Sequence, residues 1–434
     1  MSGINYSAVQ TGDQRQAENA LRSAAKLALR AQTVAGPASH SQPGASENRS
    51  LAHGENYCKE GFVMTSKERF YATVNYTSPD RPLIAPLEGQ SRVWERLYNY
   101  FDVPFKVEGN LDKLPIFFSG FDEKSHEIFS QKVGLDFRSV SPGYIGPELK
   151  VYDDGSWDGL FGERWKQEPF TGGFYEKTCH KPLAGFTEVD ELKNYRFPSA
   201  DWYDYNTVAV QCDKYSGYAI YTEGPGAMDY LNGIGFLRGV EQVYIDIALE
   251  DPVYLTIVEK RFNFFYEKVR RTLEAAKGKI DAVRCGEDLG TQLGPIINPE
   301  KFRTILGPKY RDFFKMIHSY GAKTMMHSCG SVRDFIPIFI DLGLDILEVV
   351  QVDAKGMDIE GLHRDFYKKI VFSGSMSVQN LLPKGTPEDI VREVERRKCL
   401  FRDGGIIVGP TNVMQIDMPT GNFVAMCKAI GCLI

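Results

Sequence analysis

From residue 218 onward the chain alternates short apolar runs with amphipathic stretches, and this rhythm limits the fold more than any other feature. The runs cover 218–222, 280–283, 323–326, 346–350, 370–372 and 406–408. Helical patterns lie between them. The longest opens at Asp251-Pro252 and reaches about residue 276, with Leu255, Val258, Phe262, Phe265 and Val269 spaced for one buried face. Others cover 299–320, 332–341, 359–366, 387–401 and 422–430. Six strand–helix units thus fit in about 215 residues. A strand returns parallel to its predecessor only through a crossover, usually a right-handed one through a helix. Both faces of such a sheet are covered, so its strands read as apolar throughout rather than alternating. A doubly wound open sheet would satisfy the same rhythm, but no glycine-rich dinucleotide fingerprint is present. The expected fold is a closed (β/α)8 TIM-type barrel, with its first strands supplied by the region before residue 210.

A barrel gathers the side chains that follow its strands at one mouth. Here that set is Glu223, Glu287, Asp288, His327, Cys329, Gln351, Ser375 and Asn412. His327 and Cys329, two residues apart past an apolar run, are both good zinc ligands. Alone, such a pair reads equally well as a polar turn at a strand end. Its company of carboxylates and amides at the other strand ends turns the reading toward a site. Glu223 is otherwise an acid at a helix N-terminus, Asp288 a loop cap and Gln351 a loop hydrogen bond. His180, His318 and His363 lie away from strand ends and read as surface or core residues.

Residues 1–63 differ from the rest. They are rich in Ala, Ser, Gln and Gly and read as a dispensable extension before the barrel of 64–434. Ser66 is placed to cap a first helix, and 90–102 reads as a second. Between 103 and 205 aromatics, glycines and prolines mix with short strand candidates, and Asp153-Asp154-Gly155-Ser156-Trp157 resembles a hairpin turn. A net charge of −6 without a basic run argues against nucleic acid and anionic membrane as partners. No apolar stretch approaches the roughly 18 residues of a membrane helix. Eight scattered cysteines without a CxxC pair suit a reducing, cytoplasmic setting.

Several motifs recur in a fixed order. They are Ser78-Pro79-Asp80-Arg81-Pro82, Gly286-Glu287-Asp288-Leu289-Gly290-Thr291-Gln292, Pro299-Glu300-Lys301-Phe302, His327-Ser328-Cys329-Gly330, Gln351-Val352-Asp353-Ala354-Lys355-Gly356-Met357-Asp358, Phe372-Ser373-Gly374-Ser375, Leu382-Pro383-Lys384-Gly385-Thr386-Pro387-Glu388, and Pro419 with Asn422. From about Thr65 to the C-terminus they make the chain resemble the uroporphyrinogen decarboxylase superfamily, and most closely its zinc-dependent, corrinoid-linked methyltransferase branch. The resemblance implies a Zn²⁺ site with His327 and Cys329 as ligands, a methylcobalamin or other corrinoid presented by a partner protein, and a small-molecule methyl donor or acceptor. It also allows a homodimer.

Two departures shape these expectations. Tetrapyrrole decarboxylases of the superfamily carry an arginine-rich stretch near the first strand. Here it reads Leu87-Glu88-Gly89-Gln90-Ser91-Arg92-Val93-Trp94, so decarboxylation of that substrate is not expected. The related methyltransferases usually take a further cysteine from the last strand's loop, which here reads Gly409-Pro410-Thr411-Asn412-Val413. A third zinc ligand must come from elsewhere, with Glu223 first, then Asp288, then Cys285. Glu287 or Asp288 would serve as a catalytic acid or base. Gln292, Gln351, Ser375 and Asn412 would contact substrate. The implied reaction moves a methyl group between the corrinoid and a thiol, folate or other small molecule, in either direction. A metal-independent decarboxylase or lyase, and a non-catalytic barrel that only docks a corrinoid partner, are the competing readings.

Overall fold

The computed structural model describes residues 63–105, 122–170 and 173–433. Apart from Val63, the expected extension over 1–63 lies outside them. Eight parallel strands form one sheet: β1 (Leu83–Ile84), β2 (Phe137–Ser139), β3 (Ala219–Thr222), β4 (Ala282–Gly286), β5 (Lys323–His327), β6 (Ile346–Val350), β7 (Val371–Met376) and β8 (Ile406–Pro410). Their order is β1-β8-β7-β6-β5-β4-β3-β2, as the barrel reading requires. Alternation along each strand sorts the side chains. One residue per strand fills the closed end of the interior: Leu83, Phe137, Ala219, Ala282, Met325, Ile346, Val371 and Ile407. Phe70 and Val74 of helix α1 (Ser66–Val74) plug this layer from below. The alternate residues, among them Ile220, Val283, Cys285, Met326 and Leu347, pack outward in the large cluster shared with the helices.

The sequence signals for element ends mostly hold. Helix α2 (Pro252–Ala276) starts where Asp251 accepts hydrogen bonds from the Val253 and Tyr254 amides. Its buried face runs through Tyr254, Ile257, Val258, Arg261, Phe262, Phe265 and Val269. Leu255 does not belong to it and is 37% exposed; one residue past Tyr254, it is turned about 100° away. The cap of α1 is Thr65, not Ser66, in a reciprocal capping box with Glu68. The Ser66 hydroxyl instead donates to Asp136 at 2.8 Å. Strand β7 runs to Met376, past the expected 370–372, so Ser373 and Ser375 lie within it. The hairpin turn at 153–157 is present, closed by Tyr152 N donating to Ser156 O at 2.8 Å. It leads into an antiparallel pair, Arg164–Phe170 with Gly173–His180, inserted between β2 and β3. Among the described residues no helix is long and apolar enough to cross a membrane.

The strand order leaves β1 and β2 at its two ends, and side chains bridge this seam. Asp136, just before β2, accepts from the Ile84 amide of β1 at 2.9 Å, replacing a ladder bond. It also takes Arg69 at 2.7 Å and Arg81 at 2.8 Å, and is fully buried. The device repeats. Asp281, before β4, accepts from the Ile220 amide of β3 at 2.8 Å. Asp345, before β6, accepts from the Thr324 amide of β5 at 2.9 Å. Each acid satisfies a backbone donor that a strand start leaves open.

Candidate metal centre

Two adjacent strands build the site. Gly286 of β4 and His327 of β5 are register partners, so the residues that follow them emerge side by side. Asp288, His327 and Cys329 each offer a ligand atom, and these atoms lie within 4.8 Å of one another. Cys329 Sγ is 3.1 Å and His327 Nε2 is 3.6 Å from Asp288 Oδ1. All three residues are buried, Cys329 completely. The two loops approach backbone to backbone, and glycine makes this feasible. Gly330 has φ +82°, and a Cβ there would lie 2.3 Å from Gly290 O.

The surroundings hold the three donors in place. Asp288 Oδ2 accepts from Asn232 Nδ2 at 3.1 Å, and Oδ1 from the Cys329 amide at 3.3 Å. Gln351 Oε1 accepts from the Gly330 amide at 2.8 Å, tying the end of β6 to the His327–Gly330 turn. His327 Nδ1 is buried with no hydrogen-bond partner. One sulfur, one nitrogen and one carboxylate oxygen match the donors that zinc takes. The residues present therefore fit such an ion.

The other residues singled out in the sequence fall in different places. Glu287 is buried, and its carboxylate accepts from the amides of Tyr230 and Leu231, both at 2.9 Å, and from Tyr310 Oη at 2.7 Å. Burial pushes it up to about 7 even though these donors pull the other way. The neighbouring Asp229 carboxyl is raised too, by burial and then by Glu287. Glu223, at φ +64°, pairs with Lys268 at 2.9 Å and is not one of the three clustered donors. Cys285 is buried among the helix-packing residues, one position out of phase with the inward Arg284 and Gly286. The Ser375 hydroxyl accepts from Arg397 Nε at 2.8 Å. Asn412 Oδ1 accepts from the Val413 amide, and the Gln292 carbonyl from the Lys355 amide.

Sequence reasoning missed an ion network inside the barrel. Arg284 of β4 binds Glu348 of β6 through Nε at 2.5 Å and Nη2 at 2.9 Å. Its Nη1 reaches Glu88, past β1, at 2.8 Å. The signal was legible: Ala-Val-Arg-Cys-Gly and Ile-Leu-Glu-Val-Val each place a charge in an otherwise apolar strand. Such a charge needs a partner of opposite sign across the barrel.

Residues 261–431, somewhat less than half of the chain, match the family model described as uroporphyrinogen decarboxylase (URO-D). No curated protein matches the chain in sequence. A solved methyltransferase from Methanosarcina mazei superposes with a TM-score of 0.54 at 14% identity, covering 85% of this chain and 98% of that one. At that identity it shows the shared barrel fold. An N-acetyl-D-glucosamine-6-phosphate deacetylase from Mycobacterium smegmatis overlaps at a TM-score of 0.25 and 14% identity, over 48% of this chain and 44% of that one. That overlap carries no weight for fold or site. The family model spans the acidic loop, the His327–Gly330 turn and the three strands beyond them, so over residues 261–431 the chain is similar to the uroporphyrinogen decarboxylase superfamily.

Proposed function

We propose that this chain is a methyltransferase that moves a methyl group between a corrinoid held on a partner protein and a small-molecule substrate or a thiol or folate acceptor. Asp288, His327 and Cys329 would hold a Zn²⁺ ion at the barrel mouth. The convergence of those three donor atoms within 4.8 Å is the observation that carries the reading. The superfamily match and the barrel shared with a methyltransferase support it. When bound, zinc would lower the pKa of a thiol substrate so that it reacts as the thiolate at neutral pH. In that direction the methylated corrinoid on the partner would supply the methyl group, and Asp288, His327 and Cys329 would hold the ion that keeps the acceptor sulfur deprotonated.

The remaining residues serve the three donors. Asn232 and the Cys329 amide fix the Asp288 carboxylate, and Gln351 fixes the turn that presents Cys329. Glu287, with both oxygens occupied, anchors the acidic loop to the segment at 230–231 and so sets where Asp288 stands. Asn412 and Gln292 would contact the substrate from their loops, whereas the Ser375 hydroxyl, expected to do so, is buried and taken up by Arg397. Free thiols among the described cysteines suit a reducing compartment such as the cytoplasm.

Metal content of the purified chain, measured by mass spectrometry, tests this. One zinc per chain is expected, with loss in both Cys329→Ala and Asp288→Ala. A chain that holds no metal after purification with added zinc would sink the thiolate mechanism. Zinc retained in Asp288→Ala but lost in Glu223→Ala would move the third ligand to Glu223.

A further inference from the structure

A cavity of about 530 Å³ opens on the seam between β1 and β2, within the size range of small-molecule sites. None of Asp288, His327 and Cys329 lines it. Arg284, joined to Glu348 and Glu88, does. That floor holds one guanidinium and two carboxylates, an excess of one negative charge. Glu348 is buried, whereas the Glu88 side chain is 33% exposed and lines the cavity. Among the described residues the other charges that line the cavity are matched: Glu123 with Lys214, Glu127 with Arg138, and Glu223 with Lys268. The excess therefore stays at Glu88. Trp94, Phe137, Tyr215 and Tyr221 line the walls. An unbalanced carboxylate beside aromatic rings in a concave site is the environment that favours an alkylated cation.

We propose that this cavity binds a small organic cation, an ammonium group, with Glu88 as its counter-ion. An anion would have to displace Glu88 from Arg284, while a cation leaves the network as it stands. Resting on the methyltransferase reading, the ammonium marks the polar end of the substrate. Both a methylated ammonium donor and an aminothiol acceptor share that group.

Calorimetric titration of the full chain with trimethylammonium and with 2-aminoethanethiol tests the proposal and separates the two sources. Methanesulfonate serves as the anionic control. One cation per chain should bind, and Glu88→Gln should weaken it about tenfold or more. Glu88→Asp, which keeps the charge, should stay within about threefold of the wild type and guards against a folding defect in Glu88→Gln. Trimethylammonium binding would mark the donor, and binding confined to 2-aminoethanethiol the acceptor. The inference fails if neither cation binds, if Glu88→Gln leaves cation affinity unchanged, or if methanesulfonate binds and Glu88→Gln tightens it. Repeating the titration on chelator-treated protein keeps the two readings apart. Cation binding without metal or methyl transfer would leave this inference standing and remove the methyltransferase.

Discussion

Asp136→Asn should destabilise the barrel strongly although it lies at the end away from the metal donors. The carboxylate is fully buried and accepts from Arg69, Arg81, Ser66 and the Ile84 amide at 2.7 to 3.0 Å. The amide variant keeps the shape but removes the charge that two guanidinium groups face. Breaking a buried ion pair from one side costs about 3–5 kcal/mol. The lower end applies here. Arg69 keeps Asp80 at 2.6 Å, and the Arg81 side chain is partly exposed. We expect a loss of about 3 kcal/mol, or about 1 M in urea midpoint if the slope is about 3 kcal/mol per M. Urea unfolding followed by circular dichroism measures it. A midpoint within about 0.2 M of wild type, with unchanged slope, would refute the reasoning.

Two further expectations concern other parts of the molecule. His126 bonds Tyr98 Oη through Nδ1 at 2.9 Å, and burial, then Arg138, holds it down at about 4. The unfolded ring takes its proton near 6.5, so the stability due to the neutral native ring is full above pH 6.5 and drains away as pH falls toward 4. The drop is about 2–3 kcal/mol after allowing for partial exposure; thermal melts across that window should show it, and His126→Gln should flatten that part of the curve. At the metal centre, Gln351→Leu deprives the Gly330 amide of its acceptor and should weaken zinc retention about 10–100-fold by competition with a chelator. Gly330→Ala should lose the metal outright, since its Cβ would strike Gly290 O; zinc held as tightly as in wild type would refute the turn's role in either variant.

The barrel was legible because six of its eight strands are long enough to interrupt the helical rhythm. The first two are 2 and 3 residues long and leave no periodic trace. His327 and Cys329 stood out as candidate donors through their chemistry and the carboxylates and amides at the other strand ends, and the structure brings their donor atoms together. Which carboxylate stands beside them was not legible, because it depends on which strands adjoin. β4 lies directly beside β5, whereas β3 is one strand further away, and its Glu223 turns to Lys268. Cys285 could have been set aside by strand parity once Arg284 was recognised as pointing inward. The capping aspartates were invisible because a lone acid before a strand reads like any polar turn residue; only the neighbour's open amide gives it a purpose.

The seam gives the barrel a preferred direction of breathing. Backbone ladders join every other pair of neighbours, whereas β1 and β2 are held by a carboxylate and its guanidinium partners. Local opening should begin there, with the Ile84 amide exchanging with solvent ahead of those in β4 and β5. The cavity wall uses Ala85 and Phe137, the residues beside this hinge line. A solute could thus enter through the loosest joint of the sheet while the strands that carry Asp288, His327 and Cys329 stay rigid. In this barrel, passage and chemistry would be assigned to opposite arcs of one wall.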